Sequence, residues 1–205
     1  DRGVAIPVCA GEQTYDFTHS QKKNMSKADR YIKRLQRKLA RQQKGSNRRA
    51  KTKHRIAVHH AKKANIRNDF AHKTSRLLVD SSAKIIVFEA LRTARMTRRP
   101  KAKQDEQGRF ISNKAKQKAG LNKSILNVGW HVIETYTYYK AYSSSKAVFK
   151  IPAPTTSQEC AKCGHTHPDN RKTQALFVCG NCGNTDNADH NASLVMAFEA
   201  QWNGK

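Results

Sequence analysis

The stretch that decides the fold lies near the C-terminus: Cys160-Ala-Lys-Cys163, then Cys179-Gly-Asn-Cys182, then Asn187-Ala-Asp-His-Asn-Ala192. The two C-x2-C pairs, separated by fifteen residues, have the spacing of a four-cysteine zinc site. We therefore predict a zinc ribbon with a structural Zn²⁺ bound by Cys160, Cys163, Cys179 and Cys182. Because four thiolates complete the tetrahedron, this zinc has no open position for a substrate.

A carboxylate, Asp189, follows the second cysteine pair at the start of a helix expected over residues 190–202. Metal-assisted cleavage of a phosphodiester needs carboxylates gathered around one or two divalent cations. Asp1 opens the first expected strand, and Glu89 ends the most hydrophobic one, residues 84–91. The three side chains could converge if those strands share one sheet. Two alternatives stay open here: Asp189 as the N-cap of the last helix, and Glu89 as a surface residue at a strand end.

The chain of 205 residues carries 40 Lys+Arg against 15 Asp+Glu, which gives a formal charge of +25. A compact fold repels itself at that charge, so the expected partner is a polyanion. Half of the basic residues, 20 of 40, lie between Lys22 and Arg76, where the acids are Asp29 and Asp69. A solvated helix face would mix the two signs, so we interpret this segment as a nucleic-acid-binding surface. The candidate contacts, with two arginines beyond the segment, are Lys33, Arg34, Arg37, Lys38, Arg41, Arg48, Arg49, Lys53, Arg55, Arg98 and Arg99.

The pattern of apolar and turn residues predicts an order of elements along the chain. The elements are a strand over 1–10 turning at Gly11 into a hairpin, two helices in 21–80 broken at Gly45-Ser-Asn47, a buried central strand over 84–91, a loop or lid over 92–120, an amphipathic helix over 121–142 and a strand over 146–153.

No run of about 18 apolar residues exists, so we expect no membrane span. Cysteines in C-x2-C pairs favour metal over disulfides and hence a reducing cytosol. A strand that begins abruptly on Asp1 suggests the C-terminal part of a longer protein.

Three motifs in this order carry a family resemblance: Asp1-x-Gly3, Ile86-Val-Phe-Glu-x-Leu91, and the cysteine ribbon followed by Ala188-Asp-x-Asn-Ala192. Together they resemble the RuvC nuclease half of the TnpB (OrfB) family, which insertion sequences of bacteria and archaea encode and which is similar to type V CRISPR effectors. The resemblance covers essentially the whole chain. It implies an α/β, RNase H-like (RuvC) mixed sheet flanked by helices, with an inserted helical hairpin and the zinc ribbon.

The resemblance also implies the domains and the chemistry. Residues 1–157 would form a RuvC-like core with a basic helical insertion at about 20–80, residues 158–186 the ribbon, and residues 187–205 the last RuvC motif and helix. Asp1, Glu89 and Asp189 would bind Mg²⁺ or Mn²⁺ for two-metal, RNA-guided cleavage of DNA. The implied partners are a guide RNA from the transposon end, target DNA and the family's N-terminal half, which this chain lacks. The expected location is the bacterial or archaeal cytoplasm, at the nucleoid.

One departure from the family pattern concerns the residues before the last helix. The common Asp-Arg-Asp is replaced by Asn187-Ala-Asp189, which keeps the second, metal-binding Asp. Two other functions stay open. The first is a guided DNA binder without cleavage, acting as a repressor or a regulator of transposition. The second is a plain zinc-ribbon nucleic-acid binder, which predicts no role for Glu89 and no dependence on Mg²⁺.

Overall fold

A computed structural model describes residues 1–152, 155–173 and 175–202 of the protein. The helices are α1 (His19–Ala40), α2 (Asn47–Asp80), α3 (Thr93–Met96), α4 (Ala115–Val128), α5 (Trp130–Ser143) and α6 (Ala188–Trp202). The strands are β1 (Val8–Ala10), β2 (Gln13–Tyr15), β3 (Ile85–Glu89), β4 (Lys103–Gln104), β5 (Phe110–Ile111), β6 (Ala147–Ile151), β7 (Leu176–Val178) and β8 (Thr185–Asn187). The chain divides into a helical unit, Asp16–Thr74, and an α/β unit, Asp1–Tyr15 with Ser75–Lys205.

The helical unit contains α1 and most of α2, as the basic segment predicted. Thr18 starts α1 with a capping box: its hydroxyl accepts a hydrogen bond from the Gln21 N–H at 3.2 Å, and its own N–H donates to the Gln21 side chain at 2.9 Å. The rings of Phe17 and Phe70 lie 4.1 Å apart, centroid to centroid. Few apolar side chains are therefore enough to fix the two helices, and the remaining surface is left to lysine and arginine.

The α/β unit is organised around one parallel strand pair. β3 and β6 run in register from Ile85 opposite Ala147 to Glu89 opposite Ile151. Parallel strands need a crossover connection, and residues 90–146, with α3, α4 and α5, provide it. α6 packs against β1, β3 and β6. The last helix therefore packs against β3, the strand that ends with Glu89.

The first residues depart from the predicted strand over 1–10, because only Val8–Ala10 is extended in a ladder. The N–H of Gly3 donates to the carbonyl of Ile6 at 3.1 Å, and this turn folds the chain back on itself. Asp1 then lies beside Cys9: the Asp1 amino group donates to the Cys9 carbonyl at 2.8 Å, and the Cys9 N–H donates to the Asp1 carbonyl at 2.9 Å. The predicted hairpin turn at Gly11 is confirmed, with φ of +57°.

The predicted helix over 121–142 is two helices. Gly129, with φ of +77°, ends α4 and precedes α5, as a glycine in the left-handed region does at a helix end. The apolar pattern continues on both sides of Gly129, which is why it suggests one helix. The predicted loop over 92–120 is also partly wrong, because it contains α3, the β4–β5 hairpin and the start of α4.

The described strands pair two by two. β3 was expected to be a buried central strand, yet Ile85 at its start is half exposed and its described partner is β6 alone. The continuous RNase H-like sheet therefore stays a prediction. Residues 153 and 154, at the predicted end of the last core strand, lie outside the described residues. Among the helices that the structure describes, none has the length and apolar character needed to cross a membrane.

Candidate metal centres and nucleic-acid surface

The four predicted cysteines come together. The Sγ atoms of Cys160 and Cys182 are 3.7 Å apart, those of Cys163 and Cys179 are 3.6 Å apart, and all four lie within 4.8 Å of one another. A regular tetrahedron of sulfurs at a zinc–sulfur distance of about 2.3 Å has edges of about 3.8 Å. The sulfurs thus have the separations that a tetrahedral metal site requires, and they form a cluster that could bind zinc.

The backbone around each cysteine pair explains how the sulfurs are held. The N–H of Gly164 donates to the Cys160 carbonyl at 2.8 Å, and the N–H of Gly183 donates to the Cys179 carbonyl at 3.1 Å. Both glycines have positive φ, 72° and 68°, which closes each knuckle tightly. The N–H of Cys182 points at the Cys179 sulfur at 3.5 Å, and this hydrogen bond is the main cause that lowers the pKa of the Cys179 thiol to about 6. Burial and the neighbouring sulfurs raise the pKa of the Cys182 thiol to about 12, so the thiolate, the form that binds metal, is favoured at Cys179.

One buried asparagine joins the two knuckles. The Asn170 side chain donates to the carbonyl of His165 at 3.1 Å and accepts from the N–H of Gly180 at 3.0 Å. Asn170 is 1% exposed, so these bonds are shielded from water. The ribbon therefore has an internal polar link besides the cysteines.

A second buried asparagine, Asn191, joins the ribbon to α6. Its Oδ1 accepts from the N–H of Ala161 at 3.0 Å, and its Nδ2 donates to the carbonyl of Glu159 at 2.7 Å. Asn191 is 0% exposed and lies two residues after Asp189. The backbone around the first cysteine pair is consequently fastened to the first turn of the helix that carries Asp189.

Asp189 is held in that first turn but does not cap the helix. The Asn187 side chain accepts hydrogen bonds from the N–H groups of Asp189 at 2.9 Å and His190 at 3.2 Å, which is the capping role. The N-cap alternative for Asp189 is therefore wrong. Its carboxylate instead accepts from the guanidinium of Arg171 at 3.1 Å, and its side chain is 15% exposed. A ribbon residue thus contacts the third candidate carboxylate directly.

Glu89 is buried at the end of β3. It is 7% exposed, so the surface-residue alternative is wrong. Its backbone carbonyl accepts a hydrogen bond from the Arg2 guanidinium. Burying a carboxylate is costly unless positive charge compensates it.

The first residues of the chain approach both other acids. The Arg2 guanidinium donates to the backbone carbonyl of Glu89. A Cβ atom added to Gly3 would lie 3.9 Å from a carboxylate oxygen of Asp189. Residues adjoining Asp1 thus contact Glu89 and lie near Asp189. We call this part of the α/β unit the acidic corner, and its binding of cations stays a prediction.

This acidic corner is more open than the cysteine cluster. Among the residues that the structure describes, the four cysteines alone place three or more metal-binding atoms within 4.8 Å of one another. The oxygens of Asp1, Glu89 and Asp189 therefore do not all lie within that distance of one another. Carboxylate oxygens suit hard divalent cations such as Mg²⁺ and Mn²⁺.

The sequence reasoning assigned no role to several residues around this corner. Arg2 contacts Glu89, and Arg171 and Asn191 connect the ribbon to Asp189 and α6. His190 bonds through Nδ1 to the carboxylate of Asp186 at 2.8 Å. Asn191 belonged to the quoted Ala-Asp-x-Asn-Ala motif, which was a usable signal. Arg171 had none, because it lies inside a ribbon already explained by its cysteines.

The candidate nucleic-acid contacts lie on both units. The exposed ones are Lys33, Arg34, Arg37, Lys38, Arg41, Arg48, Lys53 and Arg55 in the helical unit, and Arg98 and Arg99 in the α/β unit. Arg49 differs, because its guanidinium donates to the carbonyl of Leu39 and to that of Gln42 at 3.1 Å, near the end of α1. It satisfies backbone oxygens there, whereas the exposed residues present their charge to solvent.

Comparison with solved structures defines the class of protein. The chain aligns with the "Cryo-EM structure of the Cas12f1-sgRNA-target DNA complex" at a TM-score of 0.59 and 20% identity, over 95% of this chain and 47% of that one. It aligns with the "Cryo-EM structure of CRISPR-Cas12f Ternary Complex" at 0.59 and 18% identity, over 96% and 37%. The chain has the α/β fold of this part of the Cas12f effectors.

Sequence comparison then gives the family. A family model described as "Probable transposase" (OrfB_IS605) matches residues 6–100, and one described as "Cas12f1-like, TNB domain" matches residues 130–196. The chain is 36% identical over 194 residues to "Putative RNA-guided DNA endonuclease InsQ" of Escherichia coli (strain K12), covering 94% of this chain and 46% of that protein. The chain belongs to the TnpB (OrfB) family, as the motifs predicted.

A further relative is the "CRISPR-associated endodeoxyribonuclease Cas12f1" of Sulfoacidibacillus thermotolerans. It is 36% identical over 83 residues, which are 37% of this chain and 20% of that protein. The chain thus spans about half the length of the first relative, 46%, and the alignment covers less of the second.

Proposed function

We propose that this chain is the nuclease portion of an RNA-guided DNA endonuclease of an insertion sequence. Asp1, Glu89 and Asp189 would bind the divalent cations that this cleavage requires. The observation that carries the proposal is the burial of Glu89, 7% exposed, at a strand end that Arg2 contacts, together with the approach of Gly3 to Asp189. In a chain with a charge of +25, acids from such distant segments in one region support cation binding.

The proposed chemistry is hydrolysis of a phosphodiester. Mg²⁺ or Mn²⁺ bound by the three carboxylates would lower the pKa of an attacking water and neutralise the charge on the phosphate and the leaving oxygen. The contribution of the chain is to fix the ligands in advance. Glu89 is held by the β3–β6 ladder, Asp189 by the capped start of α6, and Asp1 by its two bonds to Cys9. Ligands on rigid elements need little reorganisation when the reaction begins.

The zinc in this proposal is structural. Four thiolates leave no position for a substrate, so the metal acts by shaping the ribbon. The ribbon in turn reaches Asp189 through the Arg171 guanidinium and holds α6 through Asn191. We therefore assign the ribbon the role of orienting the third carboxylate.

The proposed partners are a guide RNA and the DNA that it selects. The relatives are named as an RNA-guided DNA endonuclease and a CRISPR-associated endodeoxyribonuclease, and one solved neighbour is a complex with sgRNA and target DNA. The exposed lysines and arginines of α1 and α2 suit contacts to phosphates, while base pairing would read the target sequence. Because the chain covers only part of its relatives, the remaining part of the family architecture would complete the grip on the guide.

The test is metal-dependent cleavage directed by a bound RNA. RNA that copurifies with the full-length protein is sequenced, and labelled DNA containing the matching sequence is incubated with the complex and Mg²⁺. We expect cleavage, and we expect Asp189→Asn to reduce its rate about 10²–10³-fold, as loss of a metal ligand costs several kcal/mol of barrier. The matched control is Asp169→Asn, since the Asp169 side chain is 82% exposed in the same ribbon.

Equal cleavage by the wild type and Asp189→Asn would refute the assignment of the carboxylates. Guide-dependent DNA binding by the wild type without any cleavage would instead favour the repressor or transposition regulator. DNA binding that needs neither guide nor Mg²⁺ would favour the plain zinc-ribbon binder.

A further inference from the structure

The side chain of Arg2 is buried beside Asp1 and Glu89, two of the three proposed cation ligands. Arg2 is 7% exposed, although it directly follows Asp1 in a chain rich in solvent-exposed arginines. Its Nη2 donates to the backbone carbonyl of Glu89, and its guanidinium carbon lies 5.2 Å from the ring centre of Phe88. The backbone N–H of Arg2 donates to the carboxylate of Asp1 at 2.6 Å. One residue therefore contacts both Asp1 and Glu89.

A buried acid on α5 keeps this arginine in place. Nη1 of Arg2 donates to the Glu134 carboxylate at 3.0 Å, and Glu134 is 8% exposed. The other carboxylate oxygen of Glu134 contacts Nζ of Lys150 on β6, and Lys150 lies opposite Phe88 in the ladder. A planar guanidinium donates in fixed directions, so it bridges a carboxylate and a carbonyl in a way that a lysine does not.

The geometry points to Arg2 as a positioning residue of the cation site. We propose that its guanidinium, fixed by Glu134, sets the distance between Asp1 and Glu89 and so sets the affinity of the site for divalent cations. The proposal rests on the proposed function, because it takes Asp1 and Glu89 as ligands. It goes beyond it in assigning a role to two residues outside the carboxylate triad.

Lys150 provides the comparison that separates positioning from charge balance. Arg2 and Lys150 both supply one positive charge to Glu134. Only the arginine also contacts Glu89, and the side chain of Lys150 is 45% exposed. If Glu134 merely needs a cation, replacing either residue should have a similar effect. If the contact with Glu89 matters, replacing Arg2 should be distinctly worse.

The test uses the whole protein and Mn²⁺ alone, with binding followed by the loss of the electron paramagnetic resonance signal of free Mn²⁺. We expect Arg2→Met to raise the Mn²⁺ dissociation constant at least about tenfold, a usual cost of removing a residue that orients metal ligands. We expect Lys150→Met to change it less than about twofold. Thermal unfolding of each variant reports the folded fraction separately.

Arg2→Met leaves the buried carboxylate of Glu134 with one partner fewer, which by itself could destabilise the fold. A second variant therefore separates an effect on folding from an effect on Mn²⁺ binding. Arg2→Met combined with Glu134→Gln removes both buried charges, so it is expected to fold, and the contact with Glu89 is still lost. We expect the same tenfold weakening of Mn²⁺ binding. Wild-type affinity in this folded double variant overturns the inference.

Asp189→Ala separates failure of this inference from failure of the proposed function. If Asp189→Ala binds Mn²⁺ as tightly as the wild type, the carboxylate site itself is refuted. If Asp189→Ala weakens binding while both Arg2 variants keep wild-type affinity, the cation site stands and the role of Arg2 is refuted.

Discussion

The ribbon and the acidic corner are two candidate metal sites built in opposite ways. All four ligands of the ribbon lie within residues 160–182, and short hydrogen bonds inside each knuckle place them. The acids of the proposed corner lie at positions 1, 89 and 189, and their approach depends on the packing of α6 against β1 and β3. A local site depends on its metal and its turns, whereas a dispersed site depends on the whole α/β unit.

The local site and the dispersed site also differ in the distances between their ligand atoms. The sulfurs are as close as 3.6 Å, the separation expected around a single tetrahedral ion. The three carboxylates do not all come within 4.8 Å of one another in the described residues.

The largest effect is expected from removing one zinc ligand. Cys179→Ser should abolish zinc binding and unfold the ribbon, because structural zinc contributes about 10–16 kcal/mol in small zinc domains. If α6 depends on the ribbon, cleavage should also fall at least about tenfold. The measurements are the zinc content of the purified protein and the rate of guide-dependent cleavage.

The control for that change is Cys9→Ser, which alters the cysteine of β1 that stands outside the cluster. It should retain zinc at the wild-type content. Full cleavage by a zinc-free Cys179→Ser protein would show that the two sites are independent, contrary to the coupling proposed here.

The same contrast explains which parts of the fold the sequence could predict. The ribbon could be predicted because its signal is contiguous: paired cysteines, the following glycines and a short strand. The basic helices could be predicted because Gly45 interrupts a clear apolar spacing. The division at Gly129 was missed because apolar residues continue on both sides, and only φ of +77° at that glycine separates the helices.

The prediction of the acidic corner rests on a family resemblance and stays a prediction. Spacing along the chain says nothing about whether residues 1, 89 and 189 meet, because their approach depends on long-range packing. The residues that organise the corner are harder still to find. Arg2 resembles any other arginine of a basic chain until its burial and its contact with Glu89 are known.

A smaller effect is expected from loosening the connection between the two sites. Asn191→Ala removes the partners of the Ala161 N–H and the Glu159 carbonyl, and it should cost about 2–6 kcal/mol, since unsatisfied buried groups cost about 1–3 kcal/mol each. Zinc should remain bound because the cysteines are intact. Chemical denaturation measures the loss, and limited proteolysis should show faster cleavage within the ribbon.

The matched control is Asn181→Ala, since Asn181 is exposed and contributes one long contact, 3.8 Å, to the Cys163 sulfur. It should change the free energy of unfolding by less than about 0.5 kcal/mol. Equal losses for the two variants would mean that Asn191 does not connect the ribbon to α6 in particular.

The smallest effect is expected at Gly3, which tests whether the turn that positions Asp1 matters for the acidic corner. A Cβ atom at Gly3 would lie 2.8 Å from the carbonyl oxygen of Ile6, a backbone atom that cannot move without opening the turn that brings Asp1 beside Cys9. Gly3→Ala should therefore cost about 1–3 kcal/mol of stability and weaken Mn²⁺ binding.

Gly120→Ala is the control, because a Cβ there meets nothing within 4 Å and alanine is the better helix former, so it should stabilise the protein by up to about 1 kcal/mol. If Gly3→Ala lowers the stability of the protein but leaves the Mn²⁺ affinity unchanged, the turn at Gly3 is not needed for cation binding. The proposed cation site would then depend less on the packing of distant segments than its contrast with the local ribbon site indicates.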